Sequence, residues 1–135
     1  MFRTMLVLDN PLSRKTLKAI LQSQFPLMDI IEAEDGVEAL QTIDSLRPGL
    51  VFMDIGLPGE NGLELTKKIK SNYPTIIVAF VTIYDLSEYQ DTAIQSSADY
   101  FFSKNSIASP GVLECVEAIL VKKGFNVNAL MGNID

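Results

Sequence analysis

Histidine is absent from this 135-residue chain, and cysteine occurs once, as Cys115. Without histidine the chain cannot itself run Ser-His-Asp or Cys-His chemistry, nor ligate zinc through imidazole. With one cysteine it cannot form an internal disulfide or a cysteine metal cluster, and a lone thiol fits a reducing compartment. Basic residues are outnumbered, 11 to 17, giving a formal charge of −6 with no basic run, so the electrostatic footprint for nucleic acid is missing. The longest apolar run, Ile76–Val81, falls far short of the roughly 20 residues that span a bilayer. The opening residues hold too few apolar side chains for a signal peptide. These absences lead us to expect an acidic, soluble, cytoplasmic domain with no membrane or direct nucleic-acid partner.

What is present is an ordinary globular balance, 47 % apolar and 21 % charged, in a length that suits one domain. Short apolar runs alternate with helix-periodic segments. Met5–Leu8, Leu50–Met53 and Ile76–Val81 are unbroken apolar runs, as in strands buried on both faces. Asp29–Ala33 reads as a more exposed strand and Tyr100–Phe102 as a fifth. Between them, Leu17, Ile20 and Leu21 mark a first helix after Pro11. Val37, Leu40, Ile43 and Leu46 mark a second, and Leu63, Thr66 and Ile69 a third. A weaker fourth carries Leu86, Tyr89 and Ala93. The fifth starts at Ser109-Pro110, buries Val112, Leu113, Val116, Ile119 and Leu120, and stops at Gly124. Strict alternation of this kind predicts an α/β fold, a doubly wound five-stranded parallel sheet with five helices. The domain should cover residues 1–124, with residues 125–135 as a C-terminal tail or truncated linker.

In such sheets the site lies beyond the carboxyl ends of the strands. Asp9, Asp54, Thr82 and Lys104 stand at the ends of the first, third, fourth and fifth runs. Taken singly, an acid after a strand is more often a helix cap. Together, two carboxylates, a hydroxyl and an ammonium suit a phosphoryl group. Carboxylates can share Mg²⁺, one can attack phosphorus, and the lysine and hydroxyl can hold phosphoryl oxygens.

Several stretches carry a family resemblance: Leu6-Val-Leu-Asp-Asn10, Glu34-Asp-Gly-Val-Glu-Ala-Leu40, Val51-Phe-Met-Asp-Ile-Gly-Leu-Pro58, Asn61-Gly-Leu-Glu-Leu65, Val81-Thr82 and Ala98-Asp-Tyr-Phe-Phe-Ser-Lys104. Over residues 3–123 the sequence resembles the receiver domain of two-component response regulators, of the chemotaxis type. The resemblance implies a flavodoxin-like strand order, 2-1-3-4-5. It implies Asp54 as acceptor of phosphate from a sensor histidine kinase. It implies Asp9, Asp54 and the Gly56 backbone carbonyl as the Mg²⁺ site, Thr82 as switch hydroxyl, Lys104 as phosphate-binding lysine and Phe101 as aromatic switch. Pro58 shapes the loop after the acceptor. Asn10 stands where the family usually has a second acid, so as a metal ligand it implies weaker Mg²⁺ binding, and Asn105 follows Lys104 where many members have proline.

The expected function is then a phosphoacceptor signalling domain, with at most self-phosphorylation and self-dephosphorylation as enzymatic activity. It would switch binding to a downstream effector or output domain, or a phosphorylation-dependent dimer. The alternative is a degenerate receiver that binds partners without phosphorylation, as Asn10 suggests. A hydrolase using an aspartyl-phosphate intermediate would want an acid where Gly56 stands. A calcium loop from Asp54 lacks oxygen ligands at Gly56, Pro58 and Leu65. A flavin module would need glycine in Asn10-Pro-Leu-Ser-Arg14.

Overall fold

The central strands are largely apolar because each one feeds two cores. In a computed structural model that describes residues 2–57, 61–82, 98–103 and 110–132, five parallel strands form one sheet in the order β2-β1-β3-β4-β5. The strands are β1 (Arg3–Val7), β2 (Asp29–Ala33), β3 (Leu50–Met53), β4 (Ile77–Thr82) and β5 (Tyr100–Ser103). The helices are α1 (Pro11–Gln24), α2 (Gly36–Leu46), α3 (Gly62–Asn72), α4 (Pro110–Lys122) and α5 (Val127–Leu130).

Side chains alternate across a strand, so Leu6 and Phe52 pack with Leu17 and Leu21 of α1 and with Val116 and Ile119 of α4. Their neighbours Met5, Val7, Val51 and Met53 pack on the opposite face with Ala39 and Ile43 of α2 and with Leu65 and Ile69 of α3. β2 and β5 are the edge strands, both mostly half-buried, and the mixed composition of β2 foretold its exposure. Removing a buried leucine such as Leu21 from either core costs about 2–5 kcal/mol. Among the described residues no buried polar side-chain atom lacks a hydrogen-bond partner.

Four helices start on asparagine or aspartate caps. Asn10, Asp35, Asn61 and Asn126 sit in extended backbone and accept N–H groups of the first turns of α1, α2, α3 and α5. Pro11 occupies the start of α1, where a missing N–H costs nothing. Gly124 stops the chain after α4 with a positive φ of 81°, as expected.

One expectation needs amendment. The buried stripe of α2 is Gly36, Ala39 and Ile43. Val37 is 70 % exposed and Leu46 is also exposed. The helix is turned so that its smallest side chains meet the sheet, which lets it approach closely. The fourth helix read from Leu86, Tyr89 and Ala93 lies outside the described residues. The segment after Gly124, expected as a tail or truncated linker, packs on the domain as far as it is described. Phe125 sets its ring edge-on to Phe2, centroids 5.1 Å apart. Leu130 is buried, and Leu27 N–H donates to the Leu130 carbonyl at 3.2 Å. Apolar residues two to four apart in Phe125-Asn-Val-Asn-Ala-Leu130 suffice for one amphipathic turn, Val127–Leu130, capped by Asn126.

Candidate phosphoacceptor site

The parallel register aligns the strand ends along one edge of the sheet. Val7 lies beside Met53, Met53 beside Phe80, and Thr82 beside Ser103. Asp54 is the first residue past β3, and its N–H donates to the Val7 carbonyl at 3.0 Å. Its side chain accepts the Gly56 N–H at 3.0 Å through Oδ1. With 4 % exposure, Asp54 is the most deeply placed acid among the described residues. A carboxylate so buried, and pinned in rotation by a backbone donor, is a prepared group rather than a solvated surface charge.

The loop beyond Asp54 is shaped to let α3 start against it. Gly62 N–H donates to the Ile55 carbonyl at 2.9 Å. A Cβ on Gly62 would come within 2.1 Å of the Asp54 carbonyl oxygen. Glycine is required there because the opposing atom is backbone, which cannot step aside. Thr66 Oγ1 then donates back to the Gly62 carbonyl at 2.7 Å, satisfying a hydroxyl buried beneath the site.

Asp9 lies two residues beyond the end of β1, is exposed, and makes no ion pair among the described residues. β4 closes with Thr82 on the same edge, described by its backbone alone, and Ser103 opposite it immediately precedes Lys104. Lys104, Asn105 and Pro58 lie outside the described residues. Phe101 pairs with Phe80 across β4 and β5, its half-buried ring edge-on at 5.9 Å and turned toward the face covered by α2 and α3.

Asn10, offered by sequence as a doubtful metal ligand, caps α1 with its amide oxygen, accepting Leu12 N–H at 2.9 Å and Ser13 N–H at 3.1 Å. Sequence reasoning passed over Arg14, whose guanidinium donates to the Leu8 carbonyl at 2.6 Å from a side chain 12 % exposed. Its partners Glu32 and Glu34 follow a helix and a strand later, so no local pattern announces it.

A model of the response regulator receiver domain matches residues 4–113. The chain belongs to the response regulator receiver family. Among its relatives, this receiver domain is 31 % identical over 118 residues to the chemotaxis protein CheY of Halobacterium salinarum, covering 87 % of this chain and 96 % of that protein. It is 31 % identical over 119 residues to the response regulator GacA of Pseudomonas viridiflava, covering 88 % of this chain and 54 % of GacA. A protein-glutamate methylesterase/protein-glutamine glutaminase of Syntrophus aciditrophicus is 34 % identical over 81 % of this chain but 32 % of its own length. The chain thus spans about a third to a half of several curated relatives.

The response regulator TrrA of Thermotoga maritima, solved in complex with Mg²⁺-BeF, superposes with a TM-score of 0.78 at 32 % identity, covering 89 % of this chain and all of that one. A CheY-like receiver of Methanospirillum hungatei gives 0.81 at 25 % identity over 90 % and 95 %. No described helix is long and apolar enough to cross a membrane.

Proposed function

We propose that this receiver domain accepts a phosphoryl group on Asp54 from a sensor histidine kinase, assisted by Mg²⁺, and thereby switches its binding to an effector or output domain. The supporting observation is the buried, rotationally pinned Asp54 carboxylate on the edge that also carries Asp9 and the end of β4. A carboxylate oxygen of Asp54 attacks phosphorus, the phosphorus–nitrogen bond to the donor imidazole breaks, and the imidazole leaves with the bonding pair and takes up a proton.

Among the described residues no three acidic, cysteine or histidine side chains gather as a metal centre. That suits Mg²⁺, which keeps several waters and is commonly bound through one or two carboxylates. Asp9, Asp54 and the Gly56 carbonyl form an all-oxygen donor set for it. Bound there, the ion would offset the negative charge of the entering phosphoryl oxygens. Lys104 and the Thr82 hydroxyl are assigned to those same oxygens, and Phe101 to the relay away from them. Cytoplasmic location, dimerisation on phosphorylation and any output activity belong to the same proposal.

The alternative, a degenerate receiver that binds partners without phosphorylation, rests on the missing second acid at Asn10, and one experiment tests both readings. The test is incubation with a small acyl phosphate and Mg²⁺, read by intact mass. One phosphate should add to the wild type and none to Asp54→Asn. An adduct that persists in Asp54→Asn removes the assignment.

A further inference from the structure

The turn that carries Asp9 is clamped from two sides. On the helix side, Asn10 accepts the Leu12 and Ser13 N–H groups, and the Arg14 N–H donates to the Asn10 carbonyl at 3.1 Å. On the strand side, Arg14 Nη1 donates to the Leu8 carbonyl at 2.6 Å, the short length of a charge-assisted bond. The same guanidinium sends Nε to Glu32 Oε1 at 3.2 Å and Nη2 to Glu34 Oε1 at 3.3 Å. Lys18 Nζ holds the other Glu32 oxygen at 3.0 Å. A planar fork anchored at three points has little freedom left. Asp9 is the one residue between the fixed Leu8 carbonyl and the fixed Asn10 cap.

We propose that Arg14 is a positioning residue for Asp9. By holding the Leu8 peptide against the Glu32–Glu34 side of β2, it fixes the direction in which the Asp9 carboxylate leaves the turn, and so sets the domain's affinity for a divalent cation. This rests on the metal-assisted reading above. Charge and position act with opposite signs here. Glu32 and Glu34 outnumber the guanidinium they bind, so deleting Arg14 makes the rim more negative and by attraction alone would tighten cation binding. Loss of positioning loosens it.

Arg3 supplies a matched control. At the other end of the sheet it makes the same kind of strut, Nε to Asp29 Oδ2 at 3.1 Å and Nη1 to the Leu46 carbonyl at 3.0 Å. The experiment is a Mg²⁺ titration of wild type, Arg14→Gln, Arg14→Lys and Arg3→Gln at fixed ionic strength, followed by the amide shifts of Asp9, Asp54 and Gly56. Backbone ¹⁵N relaxation is measured on the metal-free proteins. Arg14→Gln should weaken Mg²⁺ binding about tenfold, the lower end for residues that orient a ligand. Its Asp9 and Asn10 amides should drop from rigid order parameters, about 0.85, toward 0.6.

Arg14→Lys should recover part of the affinity, since an ammonium still reaches the Leu8 carbonyl. Arg3→Gln should alter neither reading. Unchanged or tighter Mg²⁺ binding in Arg14→Gln, or unchanged order at Asp9, overturns the proposal. If Arg14→Gln does not fold, wild-type affinity in Arg14→Lys overturns it. A wild type that shows no Mg²⁺ response defeats the metal-assisted reading, and the relaxation comparison still decides the positioning.

Discussion

The two ends of the sheet are built from similar parts and put them to different use. Each has an arginine that ties a strand to an acid of β2 or the loop beyond it and to a backbone carbonyl, and each has a glycine pressed against a neighbour. At the carboxyl end Arg14 is 12 % exposed and grips the peptide just before Asp9. At the amino end Arg3 is 44 % exposed and grips the last carbonyl of α2. Water screens the second strut and largely spares the first, so exposed pairs such as Arg3–Asp29 contribute little. The glycines differ in the same sense. Gly62 faces the Asp54 backbone, whereas a Cβ on Gly49 would meet the Phe2 ring at 2.6 Å, beside an open hollow of about 320 Å³ lined by Phe2, Arg47 and Phe125. Backbone is packed closely around Asp54, and an open hollow is left at the far end.

Replacing the glycines should break this comparison or uphold it most visibly. Gly62→Ala should cost about 3 kcal/mol or more, because backbone must move. Gly49→Ala should cost about 1 kcal/mol, because a ring beside a hollow can turn. Urea denaturation of both variants measures this, and equal losses would dissolve the contrast between the two ends.

Helix caps offer a smaller contrast. Asn10→Ala should cost about 1 kcal/mol, while Asn10→Asp, which caps equally well, should stay within about 0.5 kcal/mol of wild type. Asn126 caps only the single turn of α5, through Ala129 N–H at 3.2 Å, so Asn126→Ala should cost a few tenths of a kcal/mol. Thermal melts of the three variants rank them.

A last effect, read as a rate rather than as a stability, concerns Cys115, which lies along α4 between the two ends. Burial pushes its thiol up to about 11 from 9.0. The folded state holds the proton more tightly than the unfolded one. The resulting stabilisation is therefore complete below pH 9 and lost as pH rises through 11. Alkylation at pH 8 should run about a hundredfold slower in the folded protein than in urea, following the thiolate fraction. Equal rates would show the thiol open to solvent.

The parallel sheet and both cores were legible because an all-parallel sheet covered on both faces writes itself as unbroken apolar runs such as Leu50–Met53, whereas the strand order came from the family resemblance and not from those runs. Asp9 and Asp54 could be placed on one edge for the same reason, since strand ends in such a sheet share a side. The orientation of α2 was not legible. Val37 and Leu46 are apolar, but the sheet selected the small Ala39 for close approach. The cap role of Asn10 was not separable in the sequence from a ligand role, because a metal ligand and a helix cap make the same demand of a residue, an oxygen just before a helix. Arg14 was overlooked because its partners, Glu32 and Glu34, become neighbours only once α1 has folded back along β1.

The contact of Phe2 with Phe125 closes the course of the backbone into something near a ring. The two aromatic rings, 5.1 Å apart between centroids, lie at the amino end of the sheet, while Asp54 sits at the opposite edge. A change made at that contact is therefore kept a full strand length away from the rim to which every parallel strand delivers its carboxyl end.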